Sequence, residues 1–494
     1  MSGRARRTLG DRSPVHRLAR GRLGPVAVVA QSVGAIAPTA AMVTTPALIT
    51  AGAGPGAVWS ALVGSLAVLL VAGSVAVFAR RLAAPGSLYA FVAQGLGPAR
   101  AFAAGCALLV GYACVSVASF GGSALYLASL AQTLGLPSGT GLQVGVVLAL
   151  AAGVGALVLR GVRTASVVLV GLEALAVAVI VAVVAQLLAL PVPQLPLADL
   201  APARLDLSAV TAGVVTAVVA FIGFESSTSL APEVRRPLSV IPRAVTWTVV
   251  GTSVLLVVGT YAVVGAFTRT GVDPAVSAMP VNDLVVASGI AMPAALIDLA
   301  AGTSFLACTL ASTTALVRLL FAMGTERMAP AALGATHPRF RTPHVALAVS
   351  LPVLTALAAV PVALGTPVRR LMDTAVSVSV LGYVLCYVFV CVAVGPFLAR
   401  IGERTAGPVV RALVGATVLG TTFVAFAVHT SRTAPVVPAV FAVAMAAGAA
   451  WYWRKRAREP RDTERIGVFD QTSTEDVLWH LPDRRDRPAD PDAA

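Results

Sequence analysis

The stretch AFIGFESSTSLAPEVRRPLSVIPRAV, residues 220–245, decides the fold of this chain. Residues 207–224 carry no charge, and Glu225 follows them directly. Gly223 stands just before this carboxylate, and Pro232 stands a few residues after it. A carboxylate is costly inside a bilayer, and glycine and proline both weaken a helix. An apolar segment that contains all three is expected to be interrupted in its middle.

The composition of the whole chain places it in a membrane. Hydrophobic residues make up 57% and charged residues 12% of its 494 residues, and the mean hydropathy is +0.86. Soluble domains cannot bury that much apolar surface. A transmembrane helix needs about 20 apolar residues, and runs of that length predict about twelve spans. They cover residues 24–50, 56–78, 101–130, 142–159, 164–190, 208–231, 244–268, 291–316, 345–364, 371–398, 412–428 and 436–453.

The basic residues are unevenly distributed between the two predicted sides. With a cytoplasmic N-terminus, the opposite side holds only Arg204, Arg269, Arg369, Arg370 and Arg432. This asymmetry follows the positive-inside rule and predicts an even number of spans, with both termini on the cytoplasmic side of the cell membrane. The net charge of +14 is scattered and forms no basic patch with interleaved aromatics, so we do not expect nucleic acid as a partner.

Three regions follow from this pattern. We expect a basic cytoplasmic N-tail over residues 1–23, a twelve-helix domain over residues 24–453 and a cytoplasmic C-tail over residues 454–494. The first apolar run is too long for a cleaved signal peptide and is interpreted as a retained helix. The charged, proline-bearing C-tail is expected to be disordered. The cysteines and histidines show no metal-ligand or catalytic spacing, so no metal, cofactor or enzymatic activity is expected.

The first and sixth spans share an interruption. SVGAIAPTAAM in the first span contains Gly34 and Pro38, and FIGFES in the sixth contains Gly223. These are corresponding positions of two five-span halves, and paired broken helices build the substrate site of many secondary transporters. The N–H ends of the breaks suit a carboxylate, and the carbonyl ends suit an ammonium group or a cation. The expected ligand is therefore an amino acid or a related amine.

The two breaks have two other interpretations, a packed kink and the filter of an ion channel. A single interruption is more often a kink that neighbouring helices pack, but a matched pair with Glu225 beside one member favours a binding site. An ion channel is the alternative from another class, since broken helices also build selectivity filters. Twelve spans in two pseudo-symmetric halves favour a transporter that works by alternating access.

Three segments resemble the amino acid-polyamine-organocation (APC) superfamily. FIGFESSTSLAPEVRRPLSVIPRAV is similar to its sixth-helix signature, and AAPGSLYAFVAQGLGPARAFAAGCALLVGY is similar to its entry into the third helix. LVRLLFAMGTERMAPAALGATHPRFRTPHVA is similar to its eighth helix and the following loop. The resemblance covers residues 24–453. It implies an all-α integral membrane fold with a five-plus-five inverted-repeat core, broken first and sixth helices, and two extra helices.

The resemblance also implies a substrate site at the two breaks. The backbone N–H groups of Thr39 and Ala40 would receive the substrate carboxylate. The carbonyls of Ile36, Val219 and Ile222 would receive the amine. The implied substrate-binding set is Ile36, Ala37, Pro38, Thr39, Ala40, Val219, Ile222, Gly223, Phe224 and Ser312, with Gly223 allowing the substrate to approach the backbone.

Two acids are candidates for ion coupling. Glu225 follows the sixth break, as the equivalent glutamate of the family does, and is interpreted either as the proton carrier or as a neutral tie between helices. Glu173 lies in the fifth span, where many relatives carry a lysine one turn later; here that position is Ala176. Glu173 could form a proton or sodium site with Ser312 or Thr313, or pair with a neighbouring helix. Proton-coupled import is the expected mode of transport, and exchange is the alternative.

Aromatic residues bear on the class of substrate. Arginine–agmatine exchangers carry pocket tryptophans near the positions of Val219 and Ser312. This chain has neither tryptophan, which disfavours a cationic substrate held by aromatic stacking. Small residues could equally make room for a bulky side chain. Tyr112, Tyr126 and Tyr383 could face the cavity, but are more often interhelical hydrogen-bonding residues.

Overall fold

The computed structural model describes residues 18, 21–137, 139–190, 206–274, 277, 279–464, 466 and 467. Apart from one parallel bridge between Leu23 and Val234, these residues form helices, turns and loops. The α-helices are α1 Pro25–Ile36, α2 Pro38–Ala53, α3 Ala57–Ala79, α4 Leu88–Leu96, α5 Pro98–Thr133, α6 Thr140–Arg160, α7 Val162–Leu188, α8 Leu207–Val219, α9 Pro237–Thr270, α10 Pro280–Ser288, α11 Ala294–Thr325, α12 His344–Ala363, α13 Val368–Arg400, α14 Ala406–Thr433, α15 Val436–Arg458 and α16 Pro460–Thr463.

The predicted all-helical membrane fold is confirmed. Ten helical stretches of the described chain are long and apolar enough to cross a membrane, and one of them, Pro25–Ala79, contains both the first and the second span. Adding the sixth span, whose helix α8 is short, brings the number to twelve. The first span consists of α1 and α2, and the sixth of α8 and a 3-10 segment, Ser226–Glu233. The short helices α4 and α10 lie between spans.

The first span breaks at a single residue. Ala37 adopts a left-handed conformation with φ 52° and ψ 69°, and Pro38 begins α2. Proline suits the first position of a helix because it needs no hydrogen-bond partner for its nitrogen, and it disfavours the α conformation in the preceding residue. Gly34, expected to contribute to the break, lies inside α1. An added Cβ there would approach Leu169 Cδ2 to 2.9 Å, so this glycine allows close packing against α7.

The sixth span breaks over several residues. Helix α8 ends at Val219, residues 220–225 form turns, and the 3-10 segment then begins. Gly223 has φ +98°, a conformation that side chains disfavour. A Cβ at Gly223 would lie 2.9 Å from the carbonyl oxygen of Ala35. Glycine is therefore required where the sixth break touches α1.

Hydroxyl groups also join the two breaks. Ser32 Oγ in α1 donates to the carbonyl of Phe224 at 2.9 Å and lies 2.7 Å from Ser227 Oγ. Ser226 Oγ donates to the carbonyl of Gln31 at 3.1 Å. The bond from Ser32 satisfies the Phe224 carbonyl, which the interrupted sixth helix leaves without a regular partner.

Both ends of the described chain lie at the C-terminal end of α11. Near the N-terminus, Leu18 packs against Phe321 of α11. Near the C-terminus, the N–H of Gly467 donates to Glu326 Oε1 at 2.8 Å, just after α11 ends. We call this end of the helix bundle the terminal face, and the other end the opposite face.

Helical structure continues past residue 453, the predicted end of the last span. Helix α15 continues to Arg458 and is followed by α16, so the first residues of the predicted C-tail, 454–463, are helical except for one. The prediction of disorder for residues 468–494, and most of the predicted N-tail, fall outside the described residues.

Candidate functional site

A cavity lies between the two breaks, in the half of the bundle next to the opposite face. It contains about 540 Å³ of empty space, part of it open to the surroundings. Five of the predicted binding residues line it: Ile36, Ala37, Ala40, Val219 and Ile222. The lining does not include Pro38, Thr39, Gly223, Phe224 or Ser312. The cavity thus touches both broken helices.

The wall of this cavity is mostly apolar and carries no charged side chain. Val115, Phe305 and Val376 contribute apolar surface from α5, α11 and α13. Its polar side chains are hydroxyls and one thiol, from Thr44, Thr45, Ser119, Cys308 and Ser379. Such a wall suits an uncharged side chain, while the charged groups of a ligand must be met by the backbone at the breaks.

The first turn of α2 offers backbone donors at the cavity. The first intrahelical bond of α2 runs from the N–H of Ala41 to the carbonyl of Ala37 at 2.9 Å. The N–H groups of Thr39 and Ala40 precede it and have no partner within the helix. The N–H of Ala40 meets Ser304 Oγ at 3.4 Å, a weak contact that a carboxylate would improve.

Glu225 lies behind the cavity wall and is 0% exposed. Its Oε1 accepts a hydrogen bond from Tyr112 at 2.9 Å, and its Oε2 accepts one from Tyr387 at 2.5 Å. Tyr387 also accepts a bond from the N–H of Gly223 at 3.4 Å. No ion pair within the described chain includes this carboxyl group. Glu225 therefore connects the sixth break to α5 and α13 through neutral donors.

The predicted tyrosines have different surroundings. Tyr112 forms the hydrogen bond to Glu225 and an edge-to-face contact with Tyr383, whose ring centroid is 5.4 Å away. Tyr126 stacks at 5.9 Å on Phe305, which lines the cavity. The hydroxyl of Tyr383 is buried without a hydrogen-bond partner in the described structure. None of the three tyrosines is part of the cavity lining. Among the described residues, Tyr112 has the expected interhelical hydrogen bond, whereas the Tyr383 hydroxyl has no partner.

Glu173 is also buried, with 4% of its surface exposed. Its Oε1 accepts a bond from Ser304 Oγ at 3.1 Å, and its Oε2 has no partner among the described residues. Neither Ser312 nor Thr313 bonds to Glu173 in the described structure: Ser312 Oγ lies 3.8 Å from Cys308 Sγ, and the hydroxyl of Thr313 is unpaired. Ser304 Oγ also contacts the N–H of Ala40, so a series of polar contacts runs from α7 to the first break.

A buried ion pair lies near the terminal face. Arg318 Nη2 in α11 is 2.9 Å from Glu233 Oε1, and their side chains are 2% and 5% exposed. The carbonyl of Glu233 accepts bonds from the N–H groups of Arg22 and Leu23, each at 2.9 Å. These contacts join the end of the sixth span, α11 and the N-terminal segment, whereas the cavity lies in the opposite half.

Comparison with known proteins identifies the family. The chain matches the amino acid permease family over residues 27–441. It belongs to that family. The permease is also similar to the branched-chain amino acid permease BcaP of Bacillus subtilis (strain 168). The two are 28% identical over 357 residues, which is 66% of this chain and 71% of BcaP. The APC resemblance is confirmed, and this multi-pass membrane protein is an amino acid transporter.

Two buried polar contacts of the permease were missed in the sequence, one beside the site and one near the terminal face. Tyr387 stands one helical turn after Tyr383 in an apolar span, and this spacing places both on one face of α13. Arg318 was counted as a loop charge on the cytoplasmic side, but it is buried in α11 and paired with Glu233. The signal for it was a single arginine within an otherwise apolar run, which calls for a buried partner.

Proposed function

We propose that this permease imports a neutral, aliphatic amino acid by alternating access, coupled to protons through Glu225. The observation that carries the proposal is the cavity between the two breaks, with its apolar wall and its backbone donors. The terminal face is the cytoplasmic face in this proposal. The cavity then lies on the extracellular side, where an importer takes up its substrate.

The two breaks suit the main-chain groups of an amino acid. The substrate carboxylate would sit at the N–H groups of Thr39 and Ala40, at the positive end of α2. The ammonium group would sit at the carbonyls of Ile36, Val219 and Ile222. The carbonyl of Val219 already accepts the N–H of Ile222 at 3.2 Å, but a carbonyl oxygen has two lone pairs.

The apolar wall determines the class of side chain. A cationic or acidic side chain would lose its hydration in this cavity without meeting an opposite charge. An aliphatic side chain gains about 25 cal/mol for each Å² of apolar surface that it buries. The name of the similar protein BcaP points to the same class, the branched-chain amino acids.

The surroundings of Glu225 support proton coupling. A carboxyl group buried without a cation favours its neutral form, and its charged form is helped by hydrogen-bond donors. Glu225 has two such donors, from α5 and α13, and it directly follows the sixth break. If the sixth span moves relative to those helices during transport, the balance between the two forms changes, and a proton is bound or released.

Uptake into liposomes tests the proposal. The purified chain is reconstituted, and entry of radiolabelled leucine is measured with an inward proton gradient, with a sodium gradient and with neither. We expect uptake with the proton gradient, and competition by valine and isoleucine but not by lysine or glutamate. Uptake that follows only the sodium gradient would reject proton coupling. Preferential competition by lysine or glutamate would reject the substrate class.

A further inference from the structure

Two apolar grooves run along the sides of α14 near the terminal face. The groove between α13 and α14 contains about 620 Å³ of empty space, and Arg404 lines it next to Gly395 and Leu413. The groove between α3 and α14 contains about 650 Å³ of empty space, and Arg411 lines it next to Gly73. We propose that these grooves bind an anionic phospholipid, with its acyl chains along α14 and its phosphate at Arg404 and Arg411.

The grooves exist because small residues leave them unfilled. A Cβ added at Gly73 would meet no atom within 4 Å, and one added at Gly395 would meet only Val409 Cγ1, at 3.9 Å. The remaining lining is largely aliphatic, with Leu66 and Leu413 both more than half exposed. In a bilayer such space is filled by hydrocarbon, because unfilled contacts forfeit dispersion energy.

The charges at the grooves select an anionic headgroup. Arg404 is exposed and has no hydrogen bond or ion pair in the described structure. Arg411 uses Nε for a bond to the carbonyl of Gly407 at 3.3 Å, which leaves its other N–H groups to a ligand. The neighbouring acid, Glu403, is occupied by Arg81 at 2.5 Å. Guanidinium groups match the geometry of a phosphate. The headgroup of a zwitterionic lipid also carries a positive charge, which does not suit a site that contains two arginines.

The linings of the two grooves contact each other, one helical turn from a residue that binds Glu225. Cys391 lines the first groove and Ser74 lines the second, and the Sγ of Cys391 lies 3.6 Å from Ser74 Oγ. Tyr387, which binds Glu225, precedes Cys391 by one helical turn. A lipid chain in the first groove therefore packs against the part of α13 that positions Tyr387. Occupancy of the grooves stabilises α13 and supports transport.

Lipid titration of the purified full chain tests the proposal. Phosphatidylglycerol or phosphatidylcholine is added to the protein in detergent, and bound lipid is counted by native mass spectrometry while the thermal midpoint is recorded. We expect phosphatidylglycerol to bind and raise the midpoint, and phosphatidylcholine to do neither to the same extent. Arg404→Ala and Arg411→Ala should each weaken phosphatidylglycerol binding about fivefold, as expected for one basic residue at an anionic headgroup.

Two further variants separate the contributions of charge and shape. Gly73→Leu fills the second groove without changing any charge, and we expect it to reduce phosphatidylglycerol binding. Arg432→Ala removes a basic residue from the other end of α14 and should leave binding unchanged. Equal binding of both lipids would overturn the proposal, as would full phosphatidylglycerol binding by the Arg404→Ala/Arg411→Ala double variant. A midpoint shift of the same size with inorganic phosphate alone would reject the lipid as the occupant.

Discussion

Tyr387 donates a hydrogen bond to Glu225 across 2.5 Å, and so joins α13 to the residue that follows the sixth break. Tyr112 supplies the second donor from α5 at 2.9 Å. All three side chains are fully buried or nearly so, with exposures of 0 to 2%. The carboxyl group is thus held by neutral partners on two other helices, and a movement of the sixth span relative to α5 and α13 would change these bonds.

Replacing Glu225 separates coupling from a structural role. Glu225→Gln imitates the neutral form, so we expect substrate counterflow to persist while uptake no longer follows a pH gradient. For each coupled proton, one pH unit drives about tenfold accumulation, and this accumulation should disappear. Radiolabelled leucine uptake and counterflow in the same liposomes provide the measurement. Parallel loss of both activities, with reduced thermal stability, would instead indicate that Glu225 only ties the helices together.

The tyrosines of α13 provide a matched pair of variants. Tyr387→Phe removes a donor to a buried carboxyl group and should cost about 1–3 kcal/mol of unfolding free energy, and it should reduce gradient-driven uptake. Tyr383→Phe removes a hydroxyl that has no partner among the described residues, so its effect on stability should be small or favourable. Thermal unfolding of the purified variants checks both expectations. Equal losses in the two variants would contradict the assigned bond.

The ion pair between Arg318 and Glu233 should behave as a buried pair. Arg318→Met or Glu233→Gln alone leaves a buried charge without its partner, and we expect each to cost about 3–5 kcal/mol. The double variant removes both charges and should recover part of that loss. A double-mutant cycle of thermal stability gives the coupling. Additive losses would show that the pair contributes little.

The chain from Glu173 through Ser304 to Ala40 predicts an effect on substrate affinity. Ser304→Ala should raise the KM for uptake more than it lowers the maximal rate, because it removes the contact that links α7 to the first break. Ser312→Ala is the control, since the nearest hydrogen-bonding atom to its hydroxyl is Cys308 Sγ at 3.8 Å. Initial rates over a range of leucine concentrations distinguish the two effects. An unchanged KM in Ser304→Ala would remove this serine from the site.

The sequence predicted the elements that depend on local backbone chemistry. Pro38 disfavours the helical conformation in the residue before it, and Gly223 permits a positive φ, so the sequence located both breaks. The contact that Gly223 makes could not be predicted. This glycine was assigned to substrate approach, but a Cβ added there would lie against Ala35. The length and apolarity of the runs likewise predicted the twelve spans.

The contacts between distant spans could not be derived in this way. Tyr112, Glu225 and Tyr387 meet from three spans, and helical periodicity does not determine which faces of different spans come together. Arg318 was misplaced because a count of charges between spans ignores depth within the bundle. The burial of its partner Glu233 could not be predicted either, since an acid after a broken helix has the same sequence pattern whether it is solvated or buried.

Leu18 packs on Phe321 and Gly467 bonds to Glu326, so segments near both ends of the described chain are attached to one end of α11. That helix also carries Arg318 on its last turns and Cys308 in the cavity wall. The segments at Leu18 and Gly467 therefore restrain the same end of one helix. We expect a fluorescent protein fused close to either attachment to disturb α11, so the transport rate of such a fusion should depend on the length of its linker.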